Sequence, residues 1–358
     1  MNSKRILLVF VSCLLLSTAY FSCEPGGEAH PSPVNPETIQ EARNLLDFLY
    51  EISGEYTLSG HHNYTHSLTK YSEQVKEITG KSPVVWGADF SFNFGGKDPD
   101  MVRQAMIDTA KLMWEQGHII TLMWHSCFPS DGDSCDSESI WIWEPGVPDA
   151  QWDSLTTPGT TLNKQWRDQV DNVAKFLKQL ENENVPVLWR PYHEMNGIWF
   201  WWCNEKGDDG FVKLWSMMYD RFVNYHNLTN LLWVWNPNAP RATPGDEAYA
   251  YEDYFPGLLS IDVLAADVYH NDYRQSHHEQ LHELAGQKPI ALGEVGKLPS
   301  PAILNEQPQW TWFMGWANFI TKENSPDSVR ALYNAPRVLT MQDIERDKDG
   351  NFRVVKGE

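Results

Sequence analysis

Eight short apolar runs recur along the chain, and most of them stop at polar or aromatic residues. They cover residues 56–61, 84–90, 118–125, 185–194, 230–236, 261–269, 289–294 and 310–316. Runs of this length read as buried strands. Between several of them the periodicity turns helical. Residues 36–52 repeat apolar side chains at Ile39, Ala42, Leu45, Leu46 and Leu49, and residues 162–180 place Val170, Val173, Phe176, Leu177 and Leu180 on one side. Residues 98–116 open with Asp98 and Pro99 and stop before Gly117, which suits caps at both ends. Residues 211–225 and 277–285 follow the same pattern. Strands alternating with helices predict a parallel sheet, and eight of them predict a single-domain (β/α)8 TIM barrel of class α/β. A doubly wound open sheet is the alternative. No G-x-G-x-x-G follows the first strand, so its dinucleotide-binding version has no support.

The third connection, residues 126–161, is long, and it carries Trp141, Trp143 and Trp152. Loops of this length in compact domains are usually functional, so it reads as a cleft wall; the alternative is a packed excursion with buried tryptophans. Composition sharpens the picture. With 42% hydrophobic residues in 358, the chain has ample material for a core. Its 17 tryptophans exceed what a core needs, so many are expected to line a cleft. A net charge of −20 repels phosphates and acidic polysaccharides, which excludes nucleic acid as a partner and leaves a neutral polymer.

The chain begins as a targeting segment. Lys4 and Arg5 precede an apolar run, residues 6–16, too short to span a bilayer. Cys23 follows Ser22 and opens a stretch rich in Pro and Gly. This resembles a bacterial lipoprotein signal, which implies cleavage after residue 22 and lipidation of Cys23; a linker over residues 23–36 and the catalytic barrel over residues 37–358 are expected to follow. Tyr20 and Phe21 depart from the residues usual before such a cysteine, so plain secretion is the alternative. Either way the protein is expected to be exported, to the periplasm or the cell surface. An oxidising compartment permits a disulfide between Cys127 and Cys135, which share one loop, and leaves Cys203 odd.

The chemistry concentrates in residues 188–202, LWRPYHEMNGIWFWW. A buried run opens onto Arg190, His193, Glu194 and Asn196, and then Trp199, Phe200, Trp201 and Trp202 follow. Flat aromatic faces beside a carboxylic acid suit a sugar ring. Glu194 has three readings. One is a structural ion pair with Arg190. One is a zinc helix, which fails because Gly197 stands where H-E-x-x-H needs its second histidine. One is a catalytic acid, which requires a second carboxylate. The seventh run, PIALGEVG, supplies Glu294 at its end. Side chains at the ends of strands four and seven converge across a barrel mouth, and glycoside hydrolysis needs two carboxylates across a cleft.

The run RPYHEMNGIWFWW resembles the acid/base motif of glycoside hydrolase family 26, whose best-known members are β-mannanases, and GEVG resembles that family's nucleophile strand. The resemblance spans roughly residues 36–345. It implies a retaining hydrolase with Glu194 as acid/base and Glu294 as nucleophile, acting on a neutral β-mannan without cofactor or metal. It further implies substrate-binding roles for His125, His193, Trp199, Asp267, Tyr269 and Trp316, with Trp312 as the alternative to Trp316. Trp199 resembles the family's sugar-stacking tryptophan, and Tyr269 the tyrosine that bonds the nucleophile. An endo-acting β-1,4-mannanase is the expectation, as a monomer. The rivals are an exo-acting enzyme releasing mannobiose, the same mechanism on β-1,3-xylan or mixed-linkage glucan, and a non-catalytic glycan-binding lipoprotein. His61, His62 and His66 invite a metal reading, but neutral histidines packed at a barrel rim are the expectation. Asp347, Asp349 and Gly350 offer too few ligands for a calcium loop.

Overall fold

The eight apolar runs become eight parallel strands in a computed structural model that describes residues 30–143 and 146–357. They are β1 (Thr57–His62), β2 (Val85–Asp89), β3 (Ile119–Trp124), β4 (Val187–Pro191), β5 (Leu231–Trp235), β6 (Val263–Val268), β7 (Ile290–Val295) and β8 (Trp310–Gly315). Each bonds to the next, and β8 returns to β1 with Leu58 opposite Trp312 and His61 opposite Gly315. The ring is closed, so the open-sheet alternative falls. Every residue of the eight strands is buried. That is why the strands read as unbroken apolar runs: their outer faces lie under helices and their inner faces fill the barrel.

The helices include α1 (Gln40–Ile52), α2 (Lys70–Thr79), α3 (Pro99–Glu115), α4 (Asp149–Thr156), α5 (Thr161–Glu181), α6 (Phe211–Asp220) and α7 (Gln275–Ala285). At the start of α3 the Asp98 carboxylate accepts the Asp100 N–H at 2.9 Å, with Pro99 in the first turn. On α5 the stripe of Val170, Val173, Phe176, Leu177 and Leu180 faces inward and is buried. Helix α6 ends at Asp220, short of the expected residue 225, because Arg221–Tyr225 widens into a π turn. Helix α2 went unread in the sequence because only Tyr71 and Val75 on it are buried, too few for a periodic stripe.

Residues Pro31–Glu358 form one compact unit. The Val34 N–H donates to Asp262 at 2.8 Å and the Asn35 amide to the Leu228 carbonyl at 3.0 Å, so the barrel already holds the chain at these positions. Cys23 and the targeting segment lie outside the described residues.

Two expectations are corrected. Most of the 17 tryptophans do not line a cleft; side chains from Trp86 and Trp124 to Trp310 and Trp312 are fully buried. An indole fills the wide space between strands and helices, and a buried N–H is affordable where a carbonyl accepts it, as Leu68 does from Trp86 at 2.8 Å. The long third connection is neither all wall nor all packing. Trp152 is buried on α4, Trp141 is half-buried and Trp143 is 51% exposed. Its first part is closed by a Cys127–Cys135 disulfide, with the Cα atoms 6.0 Å apart. Asp347, Asp349 and Gly350 stand in a hairpin turn between Ile344–Arg346 and Phe352–Val354, in which the Asp347 carboxylate accepts the N–H groups of Asp349 and Asn351 at 2.9 Å.

Candidate active site

The backbone leaves β4 through a strained turn: Tyr192 and Glu194 both adopt positive φ, at 49° and 56°. Non-glycine residues rarely do so, and strain of this kind persists where neighbouring structure holds it in place. Here the Glu194 N–H donates to the Asn236 carbonyl just past β5 at 2.7 Å. The next turn brings Trp199 back over Gly197, where a Cβ would lie 2.4 Å from the indole. Glycine at 197 therefore lets the Trp199 N–H reach the Glu194 carboxylate at 2.8 Å.

Glu194 is 7% exposed, and both of its oxygens are held by neutral donors. Asn238 donates to Oε1 at 2.5 Å and Trp199 to Oε2 at 2.8 Å. Burial and then the nearby charge of Glu294 raise Glu194 from 4.5 to about 7, against the pull of Asn238, Arg241 and Trp199.

Glu294, at the end of β7, is buried in a different setting. Arg190 donates to Oε1 at 3.1 Å and the Tyr269 hydroxyl to Oε2 at 2.8 Å, while His193 Nε2 stands 3.8 Å from Oε1. Burial lifts Glu294 above the usual range, and Arg190, His125 and Tyr269 oppose that lift. Arg190 is fixed in turn by Asn236, which accepts from Nε at 2.7 Å. That asparagine fits only because residue 293 is glycine; a Cβ there would lie 1.8 Å from the Asn236 oxygen. The reading of Glu194 as the ion-pair partner of Arg190 therefore falls, because Arg190 pairs with Glu294.

Both carboxylates open onto one recess of about 250 Å³, walled by His125, Trp141, His193, Trp199, Phe200, Arg241, Asp246, Tyr269, His270 and Trp316. The recess continues past His125, Trp141 and Trp316 into a second of about 350 Å³, which adds Tyr64, Thr65, His66 and Asn93. Thr65, His66 and Asn93 then border a third, of about 910 Å³. The structure therefore gathers His125, His193, Glu194, Trp199, Tyr269, Glu294 and Trp316 around one cleft. Trp312 is fully buried in the β8 wall, which leaves Trp316 as the eighth-strand aromatic.

Asp267 is placed differently from its expected contact with substrate. It has no exposed surface and does not line the recess. Its Oδ1 accepts from Asn236 at 2.8 Å and lies 3.4 Å from Arg190, so it braces the groups that hold Glu294. Burial and then Glu294's charge push it well above the carboxylate range.

His125 Nδ1 donates to the Asp89 carboxylate at 2.7 Å, and the ring meets His193 edge-on at 4.6 Å. Burial lowers its pKa, but Asp89, with Glu294 and Glu194, more than reverses this, so His125 sits above its ordinary value. His193 is pushed well below its own by burial, then by His125 and Arg190, and is a neutral imidazole. His61 and His62 are packed and neutral. His61 bonds the Ala317 carbonyl at 2.9 Å, His62 stacks on Trp316 at 4.5 Å, and burial lowers them to about 4 and about 3. His66 is exposed and borders the second and third recesses. His193, Asp267 and Glu294 bring one ligand-type atom each within 4.8 Å of one another. The Arg190 guanidinium already bonds two of the three, so the trio fits an internal cation better than a metal ion.

The profile described as Glycosyl hydrolase family 26 matches residues 34–343. The chain belongs to glycosyl hydrolase family 26. A relative named mannan endo-1,4-beta-mannosidase, from Thermothelomyces thermophilus, is 33% identical over 91% of this chain; the chain spans 66% of that relative's length. The structure of GH26A from Muricauda sp. MAR_2010_75 is 47% identical, with a TM-score of 0.83, covering 87% of this chain and 99% of that one. The β-mannanase from a symbiotic protist of the termite Reticulitermes speratus, complexed with gluco-manno-oligosaccharide, is 27% identical, with a TM-score of 0.74, covering 87% and 96%.

Sequence reading of this family 26 site missed Asp89, Asn236, Asn238, Arg241 and Asp246. Asn236 ends an apolar run and Asp89 stands one residue before the end of another, close to the signal that exposed Glu194 and Glu294. Arg241 and Asp246 stand on a short hairpin, Arg241–Thr243 with Asp246–Ala248, that has no apolar pattern to announce it.

Proposed function

We propose that this family 26 protein is a retaining, endo-acting β-1,4-mannanase, with Glu294 as nucleophile and Glu194 as acid/base. The contrast between the two carboxylates carries this reading. Glu294 faces a guanidinium and a phenol, which favour its ionised form, whereas Glu194 has only neutral hydrogen-bond partners and a value of about 7. A coupled pair that has lost one proton therefore keeps the other on Glu194. In the first step Glu294 attacks the anomeric carbon, displacing the leaving oxygen as Glu194 protonates it. Glu194, now ionised, takes a proton from water, which attacks the glycosyl–enzyme bond and releases Glu294. Trp141, Phe200 and Trp316 supply apolar walls for pyranose faces, and the neutral His193 beside Glu294 is available to sugar hydroxyls.

The name of the 33% identical relative, mannan endo-1,4-beta-mannosidase, supports internal cleavage. The names borne by relatives support mannan. For localisation, the basic start, short apolar run and Cys23 support an exported protein anchored through a lipidated cysteine. Early products from unbranched mannan, separated by chromatography with β-1,3-xylan and mixed-linkage glucan as controls, test the reading. A ladder of manno-oligosaccharides is expected. Mannobiose alone would make the enzyme exo-acting, and cleavage of only a control polymer would overturn the substrate.

A further inference from the structure

One guanidinium touches both side chains that hold Glu194. Arg241 Nη1 donates to the Asn238 side-chain oxygen, and the Arg241 guanidinium carbon lies 5.0 Å from the centre of the Trp199 ring. Asn238 and Trp199 are the two donors on Glu194 Oε1 and Oε2. Arg241 is itself gripped by Asp246, through Nε and Nη2 to the carboxylate at 2.9 and 2.6 Å and through Nε to the Asp246 carbonyl at 2.9 Å. The hairpin thus connects the outer wall of the cleft to the acid/base.

The contact with Asn238 matters because an asparagine amide has two different ends. Its oxygen only accepts and its nitrogen only donates, and a 180° flip exchanges them at little steric cost. Arginine has no acceptor. With Arg241 on one side, the Asn238 oxygen must face the guanidinium, and the nitrogen must face Glu194. Asn196 fixes the backbone of the same residue, accepting the Asn238 N–H at 2.7 Å and donating to its carbonyl at 2.8 Å, but it leaves the Asn238 side chain free to turn. We propose that Arg241, held by Asp246, is a positioning residue that locks Asn238 and Trp199 as donors to Glu194 and so sets the protonation balance of the acid/base. This rests on Glu194 having that role.

The charged and titratable groups around Glu194 come from several elements. They are Glu294 on β7, Asp267 on β6 with Tyr269 just past it, His125 past β3, Cys203 in its own loop and Arg241 on the hairpin. Asp246 and the exposed His270, 3.4 Å apart, flank Arg241. Arg241, Asn238 and Trp199 all favour the ionised form of Glu194, against burial and Glu294. Loss of Arg241 removes a positive charge and frees Asn238 to turn its oxygen toward Glu194, which favours the protonated form. Both effects raise the Glu194 pKa.

The test compares wild type, Arg241→Gln, Arg241→Lys and Asp246→Asn on an aryl β-mannobioside across pH, together with ¹³C NMR titration of glutamate carboxyls, the Glu194 signal being assigned by its loss in Glu194→Gln. In Arg241→Gln the alkaline limb of kcat/KM should move up by about 1 pH unit, and the Glu194 resonance should titrate higher by the same amount. Arg241→Lys, which keeps the charge and one donor, should recover at least half of that displacement, and Asp246→Asn should fall between. A Glu194 titration in Arg241→Gln that matches wild type, whatever the melting temperature does, overturns the proposal. If wild type cleaves no β-mannoside, the functional reading fails, and the NMR titration still decides whether Arg241 governs Glu194.

Discussion

Replacing Glu194 with glutamine should stabilise the protein, and by an amount that grows with pH. The carboxyl is 7% exposed, and burial first and Glu294 second raise its pKa from 4.5 to about 7. A carboxyl whose native value lies above its unfolded value binds its proton more tightly when folded. The native state therefore loses stability as pH rises from about 4.5 to about 7, the interval in which the unfolded chain ionises freely and the buried group resists. At ~1.4 kcal/mol per pH unit, that interval amounts to about 3 kcal/mol. Glutamine keeps the shape and does not ionise. It must turn an NH2 toward either Asn238 or Trp199, which costs about 1 kcal/mol, but that penalty is independent of pH and cancels when two pH values are compared. Removing the Glu194 charge also eases ionisation of Glu294, which adds in the same direction. A chain of this size unfolds with an entropy of about 0.7 kcal/mol/K, so about 3 kcal/mol corresponds to about 4 °C. Calorimetry of wild type and Glu194→Gln at pH 4.5 and pH 8 should show the variant gaining about 4 °C on wild type between the two. Melting temperatures that run parallel across this range would refute the argument that Glu194 is held protonated at the expense of stability.

Three further outcomes follow from the same geometry. Glu294→Ala should be nearly inactive on every substrate, whereas Glu194→Ala should show a burst on an activated aryl glycoside and be accelerated by azide. NMR of the azide product should show the substrate's own anomeric configuration, and a retained product appearing only with Glu294→Ala would exchange the two roles. Trp199→Phe keeps the ring but removes the N–H bonded to Glu194; kcat/KM should fall about threefold to tenfold with the alkaline limb displaced upward, and an unchanged profile would show that the N–H is idle. Cys23→Ala should move the expressed protein from the membrane to the soluble fraction, and continued membrane association would refute anchoring through that cysteine.

The sequence determined the barrel and its two acids. Eight apolar runs with helical stretches between them are a one-dimensional record of strands buried on both faces, and Glu194 and Glu294 stood out because each ends such a run. Periodicity also placed α1 and α5, whose buried stripes are long enough to repeat, and the capping residues placed α3. What only the tertiary structure decided was partnership. Arg190 is four residues from Glu194 in the chain, yet it bonds Glu294, because Asn236 from β5 and the bare backbone at Gly293 make room for the guanidinium on that side. Asp267 and Tyr269 are two residues apart and would share a face of a regular strand, but the strand ends at Val268, so Asp267 stays in the interior while Tyr269, past the end, lines the cleft. The hairpin of Arg241 and Asp246 carries no hydrophobic pattern, so nothing in the chain order announced it. Local pattern reports burial; which charge meets which depends on distances across the barrel mouth, and those exist only once the ring has closed.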